Sequence, residues 1–123
     1  MIIDMGDFKL ADAEKKFVEL VWRREPLPSG ELVALCEREL NWKKSTTYTV
    51  LRRLCQKGIL QNEDSVVTSL INKMEYMARC SEETLEETFD GSLPQFVAAF
   101  MSRKKLNKKQ IEEIQSLIDN YEG

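Results

Sequence analysis

The side chains best suited to specific chemistry lie in residues 41–58, the segment NWKKSTTYTVLRRLCQKG. In a helix, with about 100° between successive residues, its apolar and polar side chains separate onto two sides. One side carries Thr47, Val50, Leu51, Leu54 and Cys55, and the other carries Ser45, Tyr48, Thr49, Arg52, Arg53 and Gln56. Hydroxyl, phenol and guanidinium groups hydrogen-bond to phosphates and base edges. We therefore predict a DNA recognition helix with one core-facing side.

The positive charge of the chain is concentrated around this segment. The formal net charge is −3, yet residues 40–62 contain five Lys or Arg and no Asp or Glu. Residues 63–92, by contrast, contain two bases and eight acids. A basic patch on an acidic body is an electrostatic footprint for a polyanion. Lys43 and Lys44 open the predicted helix, where backbone N–H groups already favour phosphate.

Two further helices precede the recognition segment. Residues 12–24 place apolar side chains at helical spacing, and Asp12 is the expected N-cap. The prolines within residues 25–28 end this helix, because proline lacks a backbone N–H and restricts the residue before it. Residues 30–40 form the second helix, with Ser29 as its expected N-cap. The order helix, helix, recognition helix is typical of a helix-turn-helix.

A β-hairpin is predicted directly after the third helix. That helix covers residues 43–57, and Gly58 ends it in a left-handed conformation. Residues 59–63 and 66–71 are two short runs, the second rich in β-branched side chains, and the polar pair at residues 64–65 forms the turn. Three helices followed by a hairpin form a winged helix. This wing contains no Lys or Arg, so we expect it to contribute little to DNA affinity.

The remaining chain is again helical, with Ser92 and Asn107 as the expected N-caps of its last two helices, so the fold class is mainly α with a small β component (α+β). We expect a winged-helix DNA-binding domain in residues 1–72 and a helical dimerisation region in residues 73–123. A region of about 50 residues buries too little surface to offset its own ordering entropy. A second copy of the chain is the expected partner, because most soluble oligomers are symmetric. The predicted dimer interface consists of Leu85, Phe89, Leu93, Phe96, Val97, Phe100, Ile111, Ile114, Leu117 and Ile118.

These patterns resemble the penicillinase and methicillin-resistance repressor family, which also includes copper-responsive repressors. The likeness extends over residues 10–121 and is strongest in WKKSTTYTVLRRLCQKGIL and FDGSLPQFVAAFMSRKKLNKKQIEEI. The second segment contains a Gly-Ser turn, an apolar helix and then Leu-Asn-x-x-x-Ile-Glu-Glu. That combination separates this family from other winged helices.

The resemblance implies a homodimeric repressor that binds palindromic double-stranded DNA operators upstream of resistance genes. Thr46 and Thr49 match positions of the family that contact DNA, whereas Tyr48 stands where penicillinase repressors carry arginine. Together with the two-sided helix pattern, this predicts a DNA-binding set of Lys43, Lys44, Ser45, Thr46, Tyr48, Thr49, Arg52 and Arg53.

The resemblance also implies a route to derepression. In the penicillinase branch, a membrane sensor metallopeptidase triggers cleavage of the repressor before a phenylalanine in the dimerisation region. The corresponding bond is Ala99–Phe100, and the family carries asparagine where this chain has Ala99. The copper branch uses a cysteine cluster near the C-terminus, and this chain has no cysteine after Cys80.

Other functional classes fit the sequence less well. The chain has no histidine, and Cys36, Cys55 and Cys80 are widely spaced, so we expect no metal site and no cofactor. Without a glycine-rich phosphate loop or a recognisable pair of carboxylates, we expect neither an enzyme nor a small-molecule substrate. The absence of a signal or membrane segment predicts a cytoplasmic protein. The alternative that stays open is a winged helix that binds a protein of the transcription machinery.

Overall fold

The recognition segment lies in a winged helix built from three helices and a small sheet. The computed structural model describes residues 9–123. Its elements in chain order are α1 (Asp12–Arg24), β1 (Leu27–Pro28), α2 (Ser29–Leu40), α3 (Lys44–Gln56), β2 (Leu60–Glu63), β3 (Val66–Ser69), α4 (Lys73–Phe89), α5 (Leu93–Arg103) and α6 (Lys108–Asp119). The predicted fold class, a winged helix-turn-helix with a hairpin wing followed by C-terminal helices, is confirmed.

The wing hairpin supplies two strands of a three-stranded antiparallel sheet with the order β1-β3-β2, in which β3 is central. In the hairpin β2–β3, Asn62 pairs with Val67 and Glu63 with Val66. The predicted turn residues Asp64 and Ser65 both have positive φ, 51° and 63°, as a two-residue type I′ turn requires. Strand β1, which pairs with β3, was not predicted, because a two-residue Leu-Pro segment directly after another proline shows no strand periodicity.

The core of the winged helix lies where the apolar sides of α1, α2 and α3 meet the wing. Fully inaccessible side chains from all of these elements meet there: Phe17, Val18, Val21, Leu32, Cys36, Leu54, Ile59 and Val67. The ring of Trp42, in the turn before α3, stacks on Phe17 with 5.5 Å between centroids. The predicted inward residues of α3 are buried, apart from the half-buried Cys55.

Two predicted N-caps are wrong. The N-cap of α1 is Ala11 rather than Asp12, and the Glu14 carboxylate takes over the capping role by accepting the Ala11 N–H through Oε1 at 3.0 Å. The N-cap of α2 is Pro28, and Ser29 is the first helical residue. Ser29 is buried, and its N–H donates to the carbonyl of Ser65 in the wing turn at 2.8 Å. In both helices, therefore, the acceptor for an N–H at the start of the helix is not the side chain of the N-cap residue: it is Glu14 for α1 and the Ser65 carbonyl for α2.

The C-terminal helices have well-formed ends. Ser92 caps α5, since its Oγ accepts the Gln95 N–H at 3.2 Å. Asn107 caps α6 in a reciprocal box, in which its Oδ1 accepts the Gln110 N–H at 2.8 Å and Gln110 Oε1 accepts the Asn107 N–H at 3.0 Å. Both caps were predicted. Gly91, with φ 80°, supplies the left-handed residue that ends α4.

By internal contacts the chain divides into two compact units, Met1–Glu83 and Thr84–Gly123, so the division falls within α4. This lies further along the chain than the expected boundary between residues 72 and 73. Within residues 9–123, no helix combines the length and the apolar character needed to cross a membrane.

Candidate nucleic-acid interface

The N-terminal end of α3 is chemically suited to an anion. Lys43 is the N-cap and Lys44 the first helical residue, and the first turn contains no acidic side chain. Backbone N–H groups in the first turn of a helix have no intrahelical acceptor, and the helix dipole is positive there. Two exposed ammonium groups next to free amides can hold one or more phosphate oxygens.

The polar side of α3 is accessible along its length. The exposed residues of the predicted DNA-binding set are Lys43, Lys44, Ser45, Thr46, Thr49, Arg52 and Arg53, whereas Tyr48 is half-buried. The Thr49 hydroxyl donates to the Ser45 carbonyl at 2.9 Å. Because a hydroxyl has one hydrogen and two lone pairs, Thr49 retains its ability to accept a hydrogen bond from an amino group on a base.

Tyr48 makes a contact within the protein. Its hydroxyl donates to Ser29 Oγ at 3.3 Å, and Ser29 in turn bonds the wing turn through its own N–H. The phenol therefore lies at the junction of α2, α3 and the wing. This contact explains why Tyr48 is less exposed than its neighbours on the helix.

The two adjacent arginines have different environments. Arg53 Nε lies 3.0 Å from Glu14 Oε2 on α1, and the Arg53 side chain is 51% exposed while that of Glu14 is 10% exposed. Arg52 is exposed and makes no ion pair or hydrogen bond with any residue of the described range 9–123. Arg52 can therefore meet a phosphate or a guanine without breaking an internal contact.

A groove of about 460 Å³ runs beside α3 along the wing. Its lining combines apolar side chains with a guanidinium and two amides: Tyr48, Leu51, Arg52, Cys55, Leu60, Gln61, Asn62 and Leu70. Gln61 and Asn62 were not predicted from the sequence, where only the cations of the wing were considered. Amide side chains also donate hydrogen bonds to phosphate. The two consecutive amides on β2 could therefore have predicted a phosphate contact from the wing.

Two cysteines, Cys55 in this groove and the fully buried Cys36 of α2, have raised thiol pKa values. Burial raises the pKa of the Cys55 thiol, although a hydrogen bond from the backbone of Asn62 opposes the change. Burial also raises the pKa of Cys36, against the effect of its contact with Thr47. A thiol with a raised pKa is a poor nucleophile near neutral pH, so these residues serve packing.

A sequence model of the penicillinase repressors matches residues 10–120 of the chain. The protein belongs to the penicillinase repressor family. Members of this family are transcriptional regulators and not enzymes. The match includes the whole winged helix and extends through α6, so the resemblance seen in the sequence is confirmed.

Similar proteins of known name match over nearly the whole chain. The penicillinase repressor of Bacillus licheniformis is 23% identical over 119 residues, covering 94% of this chain and 93% of its own. The penicillinase repressor of Staphylococcus aureus is 21% identical over 116 residues, covering 91% and 92%. An uncharacterised 16.5 kDa protein of Latilactobacillus sakei is 24% identical over 114 residues, covering 89% and 78%.

Proposed function

We propose that this protein represses transcription by binding a palindromic operator as a homodimer. The observation that carries the proposal is the exposed, acid-free side of α3 at the centre of a winged helix. A two-fold dimer presents two such helices to successive turns of the major groove. Both the fold and the family support this function.

Within this proposal, the α3 residues have different tasks. Lys43 and Lys44 hold phosphates and position the helix, while Ser45, Thr46 and Thr49 offer hydroxyls to base edges. Arg52 adds a guanidinium without an internal partner among the described residues. Tyr48 already bonds Ser29, so its contribution to DNA is contact by the ring. Arg53 is bound by Glu14, so its guanidinium is less available to phosphate than that of Arg52.

The proposed dimer interface is formed by the apolar sides of α5 and α6. Phe100 is 49% exposed, Ile111 52% and Leu117 73%, and no residue of α5 or α6 is buried. A monomer that exposes so many large apolar side chains on adjacent helices gains free energy by covering them. Leu93, Phe96, Ile114 and Ile118 belong to the same exposed set, and Leu85, Phe89 and Val97 are half-buried.

We further propose that the protein controls a resistance or stress-response operon. The names of the similar proteins in Bacillus licheniformis and Staphylococcus aureus support resistance genes as the target. Derepression would follow cleavage of Ala99–Phe100 through a membrane sensor metallopeptidase pathway. This bond lies within α5, so a protease requires local unwinding of that helix before it can cut.

The test is fluorescence anisotropy with DNA from the upstream region of the protein's own gene and scrambled DNA of equal length, at two salt concentrations. We expect preference for the upstream DNA, two chains per site, and affinity that falls steeply with salt, with a slope of about −0.9 per phosphate contact. Equal, weak binding to both sequences would contradict the operator proposal.

The cation-free wing and the net charge of −3 favour a second candidate, a winged helix that binds a protein of the transcription machinery. The salt titration separates the two. A protein-binding module shows a flat dependence of DNA binding on salt, because it releases no condensed counterions.

A further inference from the structure

Arg53 forms an ion pair with Glu14, in the first turn of α1, which is distant in sequence from the proposed DNA contacts. Its Nε is 3.0 Å from Glu14 Oε2, so the bond links the C-terminal half of α3 to the first turn of α1. The other Glu14 oxygen accepts the Ala11 N–H at 3.0 Å. One carboxylate therefore caps α1 and holds α3.

The Glu14 end of this ion pair is almost inaccessible to solvent. Glu14 is 8% exposed, and the next turn of its helix places Phe17 and Val18 at 0% in the core. A carboxylate this buried is stable only when its oxygens are paired, so Glu14 strongly favours the arrangement in which Arg53 stays bound. An exposed surface ion pair would impose little constraint. This pair differs because the Glu14 side chain is almost inaccessible to solvent.

We propose that Arg53 and Glu14 are positioning residues, which fix the rotation and height of α3 so that Arg52 and Thr49 meet the operator. The inference rests on the proposed function and deepens it. Arg53 then adds little to phosphate binding, since its charge is already neutralised by Glu14. The preceding residue, Arg52, supplies the cation that displaces counterions.

The decisive variant is Glu14→Gln, because positioning and simple electrostatics predict opposite signs. Removing an acid from a DNA-binding protein should strengthen binding if charge alone matters. If Glu14 positions α3, operator affinity should instead fall about three- to ten-fold, in the lower part of the range seen for residues in contact. Glutamine still offers an oxygen to the Ala11 N–H, so the cap of α1 is kept. Stronger or unchanged binding would overturn the inference.

The salt slope provides a second, independent readout. Arg53→Ala should weaken operator binding with an unchanged slope, whereas Arg52→Ala should reduce the slope by about 0.9 for each phosphate that is no longer neutralised. The double variant Glu14→Gln with Arg53→Ala should bind no more weakly than Arg53→Ala alone, because both changes break the same ion pair. A reduced slope for Arg53→Ala would show that this guanidinium contacts phosphate, and would overturn the inference.

The matched control is Glu75→Gln, which removes a carboxylate from another ion pair, with Arg79 on α4 at 2.9 Å. It should leave operator affinity unchanged. Each variant is assayed at a temperature at which circular dichroism shows it folded, and if one arginine variant does not fold, Glu14→Gln decides alone. If the unaltered protein shows no preference for the upstream DNA over scrambled DNA, the proposed function fails. If Arg52→Ala behaves as expected but Glu14→Gln does not weaken binding, only the positioning inference fails.

Discussion

The winged helix and the C-terminal helices differ in how far they bury their apolar side chains. In the first unit, helices and wing bury a shared core in which Phe17, Leu32, Leu54 and Val67 are almost inaccessible. In the second unit, α5 and α6 contain no buried residue, although they carry large apolar side chains. Both units contain amphipathic helices, although side-chain N-caps are found on α5 and α6 and not on α1, α2 or α3. The difference is that the apolar side chains of the first unit bury one another. In the second unit Phe89 and Phe96 contact each other, with 5.4 Å between ring centroids, but large apolar side chains stay exposed or half-buried.

This contrast explains how one short chain can combine two tasks. A self-contained core holds the polar side of α3 in a defined position, as recognition requires. Exposed apolar helices gain stability when a partner covers them, so in the proposed dimer the stability of α5 and α6 depends on assembly. Occupancy of a palindromic operator then depends on the protein concentration, because the proposed dimer forms from two chains. The following changes test this division, from the largest expected effect to the smallest.

Phe17→Ala should affect the winged helix most severely. Phe17 is fully buried and stacks on Trp42, so its truncation should reduce the free energy of unfolding by about 3–5 kcal/mol. Urea denaturation followed by circular dichroism measures the change. Met74→Ala, at a side chain that is 73% exposed, is the control and should change stability by less than about 0.5 kcal/mol. Similar losses for both variants would contradict the picture of a self-contained core.

Phe100→Asp should break the proposed dimer while the winged helix stays folded. Placing an unpaired carboxylate in an apolar interface should raise the dimer dissociation constant by about 100-fold, or roughly 3 kcal/mol. Sedimentation equilibrium measures the association. Gln95→Asp, in the first turn of the same helix, adds the same charge outside the apolar side and should remain dimeric. A dimeric Phe100→Asp protein would remove α5 from the interface.

High pH should destabilise the winged helix through Tyr76. Burial raises the pKa of Tyr76 to about 12, with a further contribution from its hydrogen bond with Cys80. Because the folded pKa lies above the ordinary value of 10.0, the stabilisation is present below pH 10 and is lost as the pH rises towards 12. The expected loss is on the order of 1–2 kcal/mol.

The measurement is urea denaturation between pH 9 and pH 12, with Tyr76→Phe as the reference protein. The phenylalanine variant lacks the ionising phenol, so its stability should fall less over this interval. It also lacks the acceptor for the Leu10 N–H, which lies 2.9 Å from the Tyr76 oxygen, so it should start from a lower stability near pH 7. Parallel pH profiles for the two proteins would exclude Tyr76 as the cause.

Asn107→Ala should have the smallest effect per chain and should act on the C-terminal helices. Loss of the N-cap of α6 destabilises a helix by about 1 kcal/mol. If α6 is ordered through dimerisation, the two substituted helices of a dimer should together weaken it about 25-fold, because two caps are lost and 1.4 kcal/mol corresponds to tenfold. Sedimentation measures it, with Lys108→Ala as the control in the first turn of the same helix. An unchanged dimer would separate α6 from assembly.

Local patterns were sufficient to predict most of the architecture. The two-sided periodicity of α3, the left-handed Gly58, the turn at Asp64 and Ser65 and the caps Ser92 and Asn107 were all predicted correctly. Each depends on interactions within a few residues, which composition and spacing record directly. The error at Ser29 has the opposite origin, because the wing turn, distant in sequence, accepts its N–H. At Asp12 the contact is local, and Glu14 rather than Asp12 supplies the capping carboxylate.

The candidate interface shows the same limit at the level of single side chains. Spacing placed Arg52 and Arg53 on one polar side of α3, and nothing local distinguishes two neighbouring arginines. Folding brings Glu14 within 3.0 Å of Arg53 and leaves Arg52 exposed. Sequence therefore established which side of the helix is polar and basic. The division of roles on that side depends on a partner distant in sequence, because an ion pair forms only when the packed core has placed both groups.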